Sequence, residues 1–282
     1  MSQCTIRDAL QKAQQQLATL PDTEPRLEAE VLLSFSLQKQ RSYLYTWPEK
    51  PLKPQQLKLF SNLVARRIQG EPIAYITGRR EFWSLDLKVT TDTLIPRPET
   101  ELLIEQALAL IPIDQPFMIA DLGTGSGAIA AAIASERPIC QIFATDMSAP
   151  TLNIAQENFK RLNLTNIQTG KGKWCEALPQ DQRFDFIISN PPYIPNSDPH
   201  LKQGDLPWEP GHALASGSDG LDDIRCIIGQ SPNHLITGGW LLLEHGYDQG
   251  TEIRSLLNRR GFQQVTTEQD LAGQDRVSKG QL

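Results

Sequence analysis

The stretch "FMIADLGTGSGAIAAAIASE", residues 117 to 136, constrains the fold more than any other. A short apolar run ends at Asp121. Gly123, Gly125 and Gly127 follow at alternate positions, and then a run of small and apolar residues at helical spacing. That order reads as strand, tight turn and helix. The alternation continues downstream. "QIFATD" and "FDFIIS" read as strands, "APTLNIAQENFKRLN" as a helix, and "GWLLLEH" as a further strand after a helix around Asp222 to Ser231. Strands alternating with helices predict an α/β fold, a doubly wound and mainly parallel sheet. The tail "FQQVTTEQDLAGQDRVSKGQL" reads as two short strands around a glycine-containing turn.

Upstream the period differs. Residues 5 to 70 read as a small helical bundle. Thr5 can cap a first helix carrying Ile6, Ala9, Leu10, Ala13 and Leu17 inward, and Pro21 ends it. A second helix is expected from about Pro25 to Leu37, with Leu27, Val31, Leu32 and Phe35 inward. A third starts at Pro54, places Leu57, Phe60, Leu63, Val64 and Ile68 on one face, and stops at Gly70. "FWSLDLKVT" alternates like a strand within a hairpin, and a helix begins near Thr100. The domains expected are 1–74 helical, 75–97 a β-hairpin linker and 98–282 the α/β domain.

Charge divides the chain in the same place. Residues 1–80 carry a balance of +5 and residues 81–282 one of −11, within a total of −6. The acidic larger part is a poor match for duplex DNA, where phosphate contacts dominate affinity. No apolar run approaches the roughly 20 residues of a membrane span, and the N-terminus has no secretory pattern. Cys4, Cys140, Cys175 and Cys226 are isolated, and the four histidines lack ligand spacing. Reduced thiols, a cytoplasmic location and no metal site are expected.

The glycine loop sits where open α/β sheets bind nucleotides, with free helix N–H groups behind it. Gly123 to Ala128 also fits the dinucleotide fingerprint, so the loop alone leaves a nicotinamide-dependent reductase open. It is not a Walker loop, since no Gly-Lys-Ser/Thr follows. Nor is it a nucleophile elbow, since Thr124 and Ala128 stand where glycines would be needed. Asp146, at the end of the next strand, can accept hydrogen bonds from both ribose hydroxyls.

"FDFIISNPPYI" decides between the cofactors. Asn190 closes a strand on the same sheet edge as the glycine loop, and its side-chain oxygen is an acceptor. Pro191 contributes a carbonyl, and Pro191 and Pro192 fix successive φ angles. Tyr193 adds a flat face. A planar NH2 group satisfies all of these features. Its two hydrogens go to the Asn190 oxygen and the Pro191 carbonyl. Two fixed acceptors help such a nitrogen pyramidalise and carry positive charge as it attacks a methyl sulfonium, with no strong base.

With these residues the chain resembles the HemK/PrmC family, methyltransferases that modify the glutamine amide in the Gly-Gly-Gln motif of peptide chain release factors. Matching segments include "GEPIAYITGRREFWSLDLKV", "LIPRPETE", "DLGTGSGAIA", "ISNPPYI", "EPGHALASGSDGLDDIR" and "DLAGQDRV". The resemblance implies a class I, Rossmann-like methyltransferase sheet of seven strands with the helical domain as substrate-recognition domain. It implies S-adenosylmethionine as cofactor, S-adenosylhomocysteine as product, and a release factor as partner of a monomer. It assigns Gly123, Thr124, Gly125, Ser126 and Gly127 to the cofactor, with Asp146 at the ribose, Trp174 at the adenine and Asn190 bordering both substrates. Asn190, Pro191, Pro192 and Tyr193 would hold the glutamine, with Asn190, Pro191 and Tyr193 in catalytic roles. Arg97 and Glu99 would border the site. One departure stands out: the residue before Trp174 is Lys173, which cannot accept a hydrogen bond from adenine. Methylation of adenine in nucleic acid, or of a ribosomal protein glutamine, uses the same planar NH2 and remains the alternative.

Overall fold

A computed structural model describes residues 3–21 and 23–282. The chain forms two units, one up to Gly78 together with Lys202–Trp208, the other Arg79–Leu201 with Glu209–Leu282. In the helical unit, α1 is Ile6–Leu17, α2 Pro25–Leu37, α3 Arg41–Thr46, α4 Pro54–Ile68 and α5 Ile73–Thr77. Thr5 caps α1 reciprocally: Asp8 N donates to Thr5 Oγ1 at 3.2 Å and Thr5 N to Asp8 Oδ2 at 2.9 Å. Pro25 and Pro54 open their helices, where a missing N–H costs nothing.

The core of this unit joins Ile6, Ala13 and Leu17 of α1 to Leu32 and Leu33 of α2 and to Phe60 and Leu63 of α4. The expected inner face of α2 is corrected here. Leu32 is buried, but Leu27 and Phe35 are 37% and 42% exposed, and Ala29, Leu32 and Leu33 form the inner face. Both stripes have helical spacing; the one with the small Ala29 lets the neighbouring helices approach. Ile68, also expected inward, is exposed. The short α3 and α5 have too few turns to leave a periodic signal. Arg67 forks onto Glu28 at 2.9 and 3.0 Å and reaches Asp205 at 3.0 Å, tying Lys202–Trp208 to the helices.

In the second unit a hairpin, β1 Arg79–Phe82 and β2 Leu85–Lys88, turns at Trp83 and Ser84, both with positive φ. Such a pair matches the twist of the strands it joins. "FW" therefore belongs to the first strand and the turn, and the alternating strand starts at Leu85.

The main elements are α6 Glu101–Leu110, β3 Met118–Leu122, α7 Ala128–Glu136, β4 Gln141–Asp146, α8 Ala149–Arg161 and β5 Ile167–Lys171. They continue with β6 Phe184–Ser189, α9 Asp222–Gln230, β7 Leu235–Glu244, α10 Gly250–Arg260, β8 Gln263–Gln269 and β9 Asp275–Gln281. The seven strands lie in the order β5-β4-β3-β6-β7-β9-β8, with β9 antiparallel to both its neighbours. β5, "IQTGK", leaves no strand signal in the sequence, because this edge strand with polar residues lacks the apolar run of its neighbours.

Side chains alternate across the sheet as a pleat requires. Ile119, Ile188 and Leu242 face Leu103, Ile129 and Phe159 of α6 to α8. Ala120, Ile187 and Leu241 face Ile224, Ile253 and Leu257 of α9 and α10. β3 lies between β4 and β6 and runs parallel to both, so the winding reverses there. Leu122 is level with Ser189, and Ser189 Oγ donates to the Leu122 carbonyl at 2.7 Å. The glycine loop and Asn190 thus leave the sheet side by side, at the switch point where such folds bind ligands.

Candidate active site

Gly123, Gly125 and Gly127 have φ of +71°, +58° and +85°, a region that only glycine enters freely. Gly127 is also the closest fit: a Cβ there would meet the Phe159 ring at 2.5 Å. Its neighbours close the loop from below. Thr124 N donates to the Thr145 carbonyl at 2.8 Å, and Thr124 Oγ1 to Asp121 Oδ2 at 2.6 Å. Asp121 is fully buried, its Oδ1 has no hydrogen-bond partner, and burial raises its pKa to about 7.

Asp146 stands opposite. Its Oδ2 accepts from Gly125 N at 3.1 Å and its Oδ1 from Ser148 N at 2.9 Å. Burial raises its pKa, against the pull of those N–H groups and of His212. The Met147 N–H also acts to lower it. Trp174 has an unusual positive φ of 48° and lies against Gly123, where a Cβ would meet its ring at 3.0 Å. Its indole N–H donates to Asp223 Oδ1 at 3.0 Å. Asp223 in turn accepts from Ser216 Oγ at 2.8 Å, and the Lys173 ammonium lies 3.4 Å from it.

Between these groups lies a cavity of about 260 Å³, lined by Gly123, Gly125, Asp146, Trp174, Asn190 and Pro192 among others. Asn190 Nδ2 donates to Thr100 Oγ1 at 3.0 Å. In this orientation the amide nitrogen faces Thr100 and the oxygen is left as a free acceptor. The Tyr193 carbonyl accepts from Gln249 Nε2 at 2.9 Å, and a Cβ on Gly220 would stand 2.1 Å from that carbonyl. The Tyr193 hydroxyl points inward to Glu244 Oε1 at 3.4 Å. Arg97 pairs with Glu209, whose other oxygen accepts from Ile95 N at 3.0 Å, so one carboxylate holds the loop before Thr100 at two points.

Two family models match the chain: a PrmC N-terminal domain over residues 8–78 and a methyltransferase small domain over residues 99–203. A release factor glutamine methyltransferase of Coxiella burnetii (strain RSA 493 / Nine Mile phase I) is 51% identical over 273 residues, covering 97% of each chain. One from Vibrio cholerae serotype O1 is 50% identical over 277 residues, covering 98% of this chain and 96% of its own. The chain belongs to the release factor glutamine methyltransferases. Among solved structures, a methyltransferase from Pyrococcus furiosus superposes with a TM-score of 0.54 at 20% identity, over 78% of this chain and 98% of that one. The hMettl16 catalytic domain, in complex with an RNA hairpin, gives 0.57 at 19%, over 78% and 81%. At that identity the likeness is one of fold.

Of the residues the sequence singled out, the structure gathers Gly123, Gly125, Asp146, Trp174, Asn190 and Pro192 around one cavity. Thr124, Ser126 and Gly127 lie behind it: Thr124 on Asp121, Gly127 on Phe159, and the Ser126 carbonyl accepting from Asn158 Nδ2 at 2.8 Å. Pro191 is buried beside Asn190, and Tyr193 directs its hydroxyl toward Glu244. Asp92, His212 and Asp223 also line the cavity and were not expected there. Thr100 and Glu244 were not foreseen either. Their signal was present, in "IPRPETE" and "EPGHALASGSDGLDDIR" for Thr100, His212 and Asp223, but nothing in the spacing says that these segments meet. Among the described residues no cluster of His, Cys, Asp or Glu could hold a metal, and no helix is long and apolar enough to cross a membrane.

Proposed function

We propose that this chain transfers a methyl group from S-adenosylmethionine to the side-chain amide nitrogen of the glutamine in the Gly-Gly-Gln motif of peptide chain release factors, acting as a cytoplasmic monomer. The release factor glutamine methyltransferase activity of its half-identical relatives supports the methyl transfer. The observation that carries it is the Asn190 amide, whose nitrogen donates to Thr100 and whose oxygen is left available as an acceptor.

S-adenosylmethionine supplies an electrophilic methyl group on a sulfonium. The donor set suits it: backbone N–H groups and close approach at Gly123 and Gly125, a carboxylate at Asp146 for the ribose hydroxyls, and the Trp174 ring for the base. Asp223, rather than Lys173, is the acceptor on that side of the cavity. Asn190 Oδ1 and the Pro191 carbonyl take one hydrogen each from the glutamine NH2 and hold its nitrogen in line. Because both acceptors are fixed before the reaction, no reorganisation is needed as positive charge grows on the nitrogen. Pro192 keeps the backbone rigid, and Tyr193 bounds the pocket.

Residues 1–74 form the substrate-recognition domain in this reading, with 75–97 as hairpin linker and 98–282 as the methyltransferase domain. Its positive surplus is partly neutralised from within, since Arg26 and Arg41 pair with Glu30 and Arg67 with Glu28. Lys39 and Lys50 flank the Tyr43 ring at 5.8 and 5.4 Å and are the cations proposed to meet the release factor. The double change Lys39→Glu and Lys50→Glu should raise KM for whole release factor several-fold and leave a short Gly-Gly-Gln peptide unaffected; equal effects on both substrates would end the recognition role.

The reaction is tested by incubating purified protein, labelled S-adenosylmethionine and release factor, followed by peptide mass spectrometry. A gain of one methyl on the Gly-Gly-Gln glutamine is expected. Label on DNA or on a ribosomal protein instead, or none at all, would overturn the reading.

A further inference from the structure

Glu244 ends β7 with its side chain 1% exposed, directly behind the Asn-Pro-Pro-Tyr run, and the methyl-transfer reading gives it no task. Its Oε1 lies 3.4 Å from the Tyr193 hydroxyl, and the Thr100 hydroxyl is beside its carboxyl. Its Oε2 has no partner in good hydrogen-bond geometry. A buried carboxyl with capacity to spare is costly unless something depends on it.

We propose that Glu244 is a positioning residue for the amide clamp: its carboxylate orients the Thr100 hydroxyl, and through it the Asn190 amide, while also holding Tyr193. This inference rests on the function proposed above.

The argument is one of proton direction. Thr100 Oγ1 already accepts from Asn190 Nδ2, so its own proton must point elsewhere. An ionised Glu244 can only accept, so it draws that proton away from Asn190. The lone pair then faces the amide nitrogen, and Asn190 Oδ1 is directed to the cavity. If Glu244 is protonated, its O–H can donate to Thr100. The Thr100 proton is then free to turn to Asn190 and favours the flipped amide, with Oδ1 toward Thr100. A flipped Asn190 presents NH2 to the glutamine NH2, donor against donor.

Burial raises the Glu244 pKa to about 7, so both states are accessible near neutrality. The charges facing it oppose one another: Arg276 from β9 lowers the pKa and Glu99, before α6, raises it. Arg276 and Arg97 both act to lower the Tyr193 pKa, against the larger effect of its burial. The adjoining His245, whose Nε2 is 2.8 Å from Ser278 Oγ, has a pKa lowered by burial and stays neutral there.

The test is kcat against pH for wild type, Glu244→Gln, Thr100→Val and the double variant, at saturating S-adenosylmethionine. Wild-type kcat should rise through a midpoint near 7. Glu244→Gln should be about 10-fold or more slower at pH 8 and lack that limb, with KM for S-adenosylmethionine within about twofold. Thr100→Val should lose the limb too, and the double variant should be no slower than the slower single one. A second readout needs no turnover: the Asn190 side-chain NH2 resonances in wild type should shift with a midpoint near 7, and not in Thr100→Val or Glu244→Gln. An acid limb that survives in both variants, additive losses, or an Asn190 amide that ignores pH in wild type would overturn the proposal. A purely structural Glu244 would lower stability and leave the limb in place. If Glu244→Gln does not fold, Thr100→Val carries the same test. If wild type methylates no release factor, the assigned reaction fails, and the resonances alone decide whether Glu244 governs Asn190.

Discussion

The glycine loop and the Asn-Pro-Pro-Tyr clamp leave adjacent strands at the same level of the sheet, and they are built by opposite means. The loop works by lacking side chains: three positive φ angles and a Gly127 that sits on Phe159. What it rests on lies within a few residues, in the strand beside it, or in α8, where Phe159 backs Gly127 and Asn158 donates to the Ser126 carbonyl. The clamp works by side chains held from a distance. Thr100 comes from the entry to α6, Gln249 from the entry to α10, and Glu244 from the end of β7. In the proposed function the cofactor side is thus built from one strand–loop–helix unit and the helix packed on it, and the acceptor side is a product of the whole α/β unit.

That contrast can be broken experimentally. Replacing Asn190 by Ala removes one of two acceptors; kcat should fall about 10²- to 10³-fold, while calorimetry should find S-adenosylmethionine binding nearly intact. Comparable loss of both would erase the division between the two sides. Gly127→Ala forces a Cβ into the Phe159 ring at a positive φ, and should cost about 2–3 kcal/mol of stability, read as a drop in Tm with cofactor affinity falling alongside. An unchanged Tm would mean that the loop is not the rigid local structure described.

Glu244 sharpens the comparison through pH. Its ordinary carboxyl pKa of 4.5 rises to about 7 on folding. The folded state thus prefers the protonated form. The stability from that preference is present below pH 4.5 and is lost as pH rises through 7. Glu244→Gln should consequently be more stable than wild type above pH 7 by about 1–3 kcal/mol, in a denaturant titration at pH 8, and no more stable at pH 4. Asp121, also raised to about 7, keeps part of the wild-type slope in that variant. A gain in stability together with a loss of rate is the expected cost of a strained, functional group. The smallest effect is expected at Asp146→Asn, which keeps an acceptor but loses the charge. Cofactor Kd should weaken about tenfold, with kcat at saturation little altered; a large kcat effect would place Asp146 on the acceptor side instead.

The difference between the two regions also explains what sequence could reveal. The loop is legible because a strand, three glycines and a helix are consecutive, and the sheet because its inner strands carry long apolar runs. The polar edge strand β5 and the inner face of α2 escaped. In β5 the apolar signal is absent, and in α2 two stripes of similar spacing compete. Asn190 to Tyr193 could be read as acceptors for an NH2 group, but the choice between oxygen and nitrogen facing the cavity depends on Thr100, 90 residues away. Asp223 was hidden for the same reason, since only folding brings it to the Trp174 indole.

The segment Lys202–Trp208 has a further consequence. It is packed into the helical unit through Arg67 and Asp205, and Trp208 Nε1 lies 3.3 Å from where a Cβ on Gly70 would stand, while its flanks belong to the sheet unit. The chain therefore crosses between the units at three places, 78–79, 201–202 and 208–209. A single protease nick after Gly78 leaves the helical unit still fastened by this clasp. In inheritance the clasp makes the helical unit a two-piece module. A recombination that exchanged residues 1–78 alone would strand seven residues fitted to the former partner, so the two stretches must be passed on, and tuned, together.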